Sequence, residues 1–144
     1  MKTRHFLNKE QQSLIIKAIE QAELNTSGEI RVHIEPKCNQ DVLLRSVYLF
    51  SKLKMNNTQL RNGVLIYLAY ESRKFAIIGD KGINDLVPNN FWDDTKSIML
   101  EYFKQSNFSE GIVYAVEQVG EKLKKFFPYS KNDINEQPND ISFG

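Results

Sequence analysis

The chain has little sulfur, little histidine and no long apolar run. Its single cysteine, Cys38, excludes an internal disulfide and any site built from clustered thiolates. Two histidines, His5 and His33, are too few and too far apart for a zinc site. The longest apolar run, Val64–Tyr70, has seven residues, far short of the length a membrane span needs. Charge of neither sign dominates: 19 basic and 18 acidic residues leave a net charge of +1. That balance gives no general attraction to nucleic acid or anionic lipid. The opening segment, MKTRHFLNKEQQ, has no apolar core, so no secretory leader and a cytoplasmic location are expected.

Several chemical signatures are also missing. There is no GxxxxGK[ST] phosphate loop, no GxSxG elbow and no HExxH pair. The loop beginning at Asp80 fails as an EF-hand, because Asp85 stands where glycine is required and Phe91 where glutamate is required. Cys38 has no histidine at a recognisable partner spacing, which argues against a thiol nucleophile.

What remains is an ordinary globular composition of 41% hydrophobic residues in 144 positions, enough for one domain with its own core. Asn8 and Gln11 form a capping-box pair ahead of a helix over Lys9–Glu23. Its apolar stripe is Leu14, Ile15, Ala18, Ile19 and Ala22. Glu29–Glu35 alternates. Ile30, Val32 and Ile34 share one face; Glu29, Arg31, His33 and Glu35 share the other. This predicts a half-exposed strand near a sheet edge, with His33 on the wet face. Asp41 caps a second helix. Val64–Ala69 is apolar throughout and predicts a strand covered on both faces. A short loop leads to a second strand, Lys74–Ile78, completing a hairpin. Helices follow over about Asn90–Lys104 and Glu110–Phe126. Residues 1–128 make up the single domain, and Tyr129–Gly144 is polar, aperiodic and expected to be flexible. The order α-β-α-β-β-α-α predicts an α/β fold, a three-layer α/β/α sandwich around a small mixed sheet.

Candidate chemistry lies among carboxylates. Asp80 leaves a strand between Gly79 and Gly82. Glu29 stands at the start of its own strand and meets Asp80 at one end of the sheet if the two strands run antiparallel. Asp93 and Asp94 open the third helix. Carboxylates converging in this way suit a hard divalent cation. The same residues also suit plainer duties: Asp80 as a turn former, Asp93 and Asp94 as first-turn acids, Glu29 as a solvated strand end. Spacing leaves both readings open.

Four ordered blocks carry a resemblance. SGEIRVHIE at Ser27–Glu35, RNGVLIYLAYESRKFAIIGDKGI at Arg61–Ile83, VPNNFW at Val87–Trp92 and FSEGIVYAV at Phe108–Val116 resemble the TPM domain family. That family includes a plant thylakoid-lumen acid phosphatase and a nematode modulator of acetylcholine receptors. The chain looks most like its small stand-alone bacterial members. Gly79-Asp80-Lys81-Gly82 stands here where the family has a glycine-tyrosine-glycine pattern. The resemblance implies an α/β/α sandwich with an acidic pocket for a divalent cation, calcium before magnesium. The matching metal positions are Asp80, Asp93, Asp94 and Glu29. It also implies a phosphatase, for which no nucleophile or acid–base pair is visible here. Three functions are therefore expected as alternatives: a cation-binding domain with little or no catalysis, a metal-dependent phosphatase acting on phosphate monoesters, and an assembly or regulatory module for a protein partner.

Overall fold

A computed structural model describes residues 6–129 and 139–144. The first helix, α1 (Lys9–Glu23), starts where the capping box places it. The Asn8 side chain accepts from the Gln11 N–H at 2.8 Å, and the Gln11 side chain accepts from the Asn8 N–H at 2.9 Å. Ile15, Ile19 and Ala22 are buried, while Leu14 is 52% exposed, so the buried stripe is narrower than the spacing suggests. Asp41 then caps α2 (Val42–Lys52) through bonds to the Leu43 and Leu44 N–H groups.

Among the described residues the sheet has four strands: β1 (Glu29–Glu35), β2 (Gly63–Ala69), β3 (Lys74–Gly79) and β4 (Ile141–Phe143), in the order β3-β2-β1-β4. β1 runs parallel to β2, with α2 as the crossover, and β3 returns antiparallel to β2 as the expected hairpin. On one face Ile30, Val32, Ile34, Val64, Ile66 and Leu68 form the main core with α1 and the two late helices, α4 (Asp93–Lys104) and α5 (Phe108–Lys124). On the other face Leu65, Tyr67 and Ala69 pack with Leu49 and Phe50 of α2. The result is the expected three-layer α/β fold, with α2 the one helix on its second face among the described residues.

Four expectations are corrected. First, β1 lies inside the sheet, not near its edge, and its polar face is dry: Glu29, His33 and Glu35 are 3–4% exposed. Charge pairing and β4 account for this, as described below. Second, the end of the supposed tail joins the sheet. Val32 faces Ile141 and Ile34 faces Phe143 in parallel register, and Ile141 is 4% exposed. Three residues are too few to show a period in sequence. The rest of that segment, residues 130–138, lies outside the described residues. Third, the glycine-bracketed exit from β3 is not an open loop. It winds into one helical turn, α3 (Lys81–Asn84), capped by Asp80. Fourth, the third predicted helix starts at Asp93 instead of Asn90, because Val87–Trp92 is spent in turns after Pro88.

The contact between α1 and α5 is close. A Cβ on Gly120 would lie 2.7 Å from the Cβ of Ala22. Gly120→Val should therefore overpack this crossing and lower unfolding stability by about 1–3 kcal/mol in a urea titration.

Candidate functional site

The parallel register of β1 on β2 brings the candidate residues to one end of the sheet. Glu29 faces Gly63, and its N–H bonds the Asn62 carbonyl at 3.3 Å. Across β2, the Asp80 N–H bonds the Gly63 carbonyl at 2.9 Å. β1 and β3 do run antiparallel to each other, so Glu29 and Asp80 share a sheet end. β2 lies between them and separates them by two strand spacings, about 10 Å. They do not share one small ion.

Asp80 is 6% exposed and already engaged. The Arg61 guanidinium donates to both its oxygens, at 2.7 and 2.9 Å, and the Lys81 N–H donates to one of them at 2.7 Å. The backbone supports this clamp. Arg61 has a φ of 51°, and its carbonyl accepts from the Gly82 N–H at 2.9 Å. A Cβ on residue 82 would stand 2.2 Å from the Leu60 carbonyl oxygen, so the approach requires glycine. The clamp closes one side of a groove of about 590 Å³ lined by Val47, Phe50, Ile77, Ile78 and Trp92. Asp93 lies on the surface with Lys96 at 3.7 Å, and Asp94 joins it in the first turn of α4. Among the described residues no three histidine, cysteine, aspartate or glutamate side chains gather as a cation site.

Glu29 has a different partner, one that the sequence reading missed. Glu23, at the last position of α1, stands within hydrogen-bonding reach of the Glu29 side chain. An oxygen of Glu23 also accepts from the Ile30 N–H at 3.0 Å. Burial pushes the Glu23 carboxyl up to about 8; the Ile30 N–H opposes the rise and the neighbouring Glu29 adds to it. The turn Asn25–Gly28 folds the end of α1 back onto the start of β1. Two glutamates six positions apart around such a turn are the signal that could have been found.

A second polar cluster lies under α2. The Arg45 guanidinium donates to both oxygens of Glu35, at 2.8 and 2.7 Å, and the Tyr67 hydroxyl donates to the same carboxylate. His33 Nε2 is 3.4 Å from Glu35, and its Nδ1 meets the Ser142 hydroxyl of β4 at 2.7 Å. Burial would raise the Glu35 carboxyl, but the Arg45 and Tyr67 donors outweigh it and hold it below the ordinary value. Burial lowers the His33 imidazole despite the nearby Glu35. This is why the polar face of β1 is not wet: its charges are satisfied internally, and β4 closes over His33. The Glu35 carboxylate is filled by its donors, and the cluster presents no free base.

Asp80→Ala should remove the α3 cap and cost about 1–2 kcal/mol in thermal unfolding. The half-exposed Arg61 pair adds little beyond that, since solvent screens it.

The solution structure of the BA42 protein from the psychrophilic bacterium Bizionia argentinensis is 52% identical, with a TM-score of 0.91 over 96% of each chain. The N-terminal domain of cg2496 from Corynebacterium glutamicum is 13% identical, with a TM-score of 0.64 over 94% of this chain and 79% of that one, a likeness of fold alone. No curated protein matches significantly. The family model for the TPM domain matches residues 1–122. The chain belongs to the TPM domain family.

Proposed function

We infer that this TPM domain is a divalent-cation-binding module without hydrolytic chemistry, and that its cation takes the place of the proton held between Glu23 and Glu29. The observation that carries this reading is the carboxyl pair, a half-buried Glu23 beside a buried Glu29. Two adjacent carboxylates at a sheet end repel unless a proton or a cation lies between them. Hard cations such as calcium and magnesium accept such oxygen donors. Calcium remains the first choice because it tolerates irregular coordination. Of the four residues first considered, Glu29 fits this role. Asp80 does not, because Arg61 and the Lys81 N–H already occupy it. Asp93 and Asp94 stand in the first turn of α4, where the helix dipole gives them a sufficient role. With two carboxylates as its charged donors, the site should bind at millimolar concentration.

A phosphatase needs a nucleophile or an activated water beside a base. The Glu35 carboxylate is saturated, and Asp80 is clamped. The binding reading is therefore favoured over turnover.

The pair also sets a pH dependence. The Glu23 carboxyl rises to about 8 on folding, so the folded state holds more protons than the unfolded chain above the ordinary carboxylate range. Its contribution to stability is complete below pH 4.5 and is lost as pH rises through about 8. Glu23→Gln should flatten that decline in a melting profile, and millimolar calcium should oppose it in the native protein. A calcium titration followed residue by residue by NMR should move Glu23, Glu29, Ile30 and Asn62 first. Glu29→Gln should abolish those shifts, and calcium should not stimulate cleavage of p-nitrophenyl phosphate. Flat spectra at millimolar metal would remove the site. Metal-stimulated turnover lost in Asp80→Asn would restore the phosphatase reading.

A further inference from the structure

A net charge of +1 conceals an uneven distribution. From Val42 to Tyr70 the chain carries Arg45, Lys52, Lys54 and Arg61 and no acidic residue. That stretch forms α2 and β2. On the opposite face of the sheet, α4 and α5 carry six acidic residues and four basic ones, Lys96, Lys104, Lys122 and Lys124. The α2 side is the more basic of the two.

The basic side is also the apolar one. Among the described residues α2 is the one helix on its sheet face, and it buries Ser46, Leu49 and Phe50. Its outer side leaves Leu43, Leu44, Val47 and Tyr48 between 53% and 66% exposed. These positions follow the i, i+1, i+4, i+5 spacing of one stripe. Single exposed apolar residues need no explanation, but a contiguous stripe does. Lys52 lies at the end of the stripe, 5.8 Å from the Tyr48 ring, and Lys37 and Lys54 are exposed at either end of the helix. Arg45 and Arg61 are matched by Glu35 and Asp80. The acids on this side are Asp41, which caps the helix, Glu71 in the hairpin turn, and Asp85, which Lys81 meets at 3.3 Å.

We propose that the outer face of α2 is a docking surface for an anionic lipid bilayer. The stripe would enter the boundary between headgroups and acyl chains. Lys37, Lys52 and Lys54 would lie at the phosphate level, and Tyr48 would sit at the interface that suits an amphipathic ring. The α4–α5 side, which carries two more acidic than basic residues, would face away. A second copy of the chain fits less well, because a symmetric contact through α2 would set the lysines of both copies against each other. The contact is peripheral: among the described residues no helix is long and apolar enough to cross a membrane.

Co-sedimentation with lipid vesicles tests this on the full chain. The protein should bind vesicles of equal phosphatidylcholine and phosphatidylglycerol at low salt. It should bind far less to phosphatidylcholine alone and be released by about 0.5 M salt, which screens surface charge. Leu44→Gln with Val47→Gln should weaken binding at least about tenfold, since apolar burial scales the affinity. Lys52→Glu with Lys54→Glu should weaken it as well. All four positions are exposed, and an NMR fingerprint verifies that each variant keeps the native fold. Three results would each overturn the proposal: no binding of the native protein at millimolar anionic lipid, binding indifferent to lipid charge and to both pairs of substitutions, or a dimer in sedimentation velocity that the Leu44–Val47 pair of substitutions dissociates. The last would assign the face to a second copy.

Discussion

The parallel register of β1 on β2 is the constraint from which the rest of the arrangement follows. Pairing Glu29 with Gly63 and His33 with Tyr67 places Ile30, Val32 and Ile34 in the main core. The same register sets Glu29, Arg31, His33 and Glu35 on the face that α2 covers. A slip of one residue would exchange these sets and bury four polar side chains in an apolar core. The register also decides which groups can cooperate. It brings Glu29 to the sheet end that Asp80 occupies, with β2 between them. Glu29 is thereby left to the nearest carboxyl group, which the end of α1 supplies.

Much of this frame was legible in the chain because it depends on local chemistry. The start of α1 follows from Asn8 and Gln11, whose side chains and N–H groups satisfy each other within one turn. The hairpin follows from two apolar runs joined by a short polar loop. The sandwich follows from the order of elements and from the doubly covered β2. What escaped depends on contacts remote in sequence. β4 has three residues and is held by a strand more than a hundred positions earlier. The polar side of β1 has the alternation of a wet face, yet Arg45, Tyr67 and Ser142 reach it from three other elements.

The candidate site divides in the same way. A strand terminus bearing a carboxylate is visible in sequence, and both Glu29 and Asp80 were found by that rule. Their partners were not. Arg61 reaches Asp80 across 19 positions only because its own backbone adopts a left-handed conformation against Gly82. Glu23 looked like an ordinary helix-end residue until the turn after α1 laid it beside Glu29. A carboxylate clamped by arginine and a carboxylate facing another carboxylate have opposite chemistry: the first is satisfied, the second is relieved by a proton or a cation. This contrast moves the expected cation site from Asp80 to the Glu23–Glu29 pair. The acid-free helix α2 was likewise hidden, because a near-neutral total averages it against the rest of the chain.

The central claim is that Glu23 and Glu29 hold a proton that a cation can displace. The most direct measurement is a titration of the side-chain carboxyl carbons by NMR in metal-free protein. The account predicts that Glu23 titrates near 8, well above the ordinary carboxylate range, and that calcium moves this transition downward. Titration of both groups between pH 4 and 5, unaffected by calcium, would contradict it.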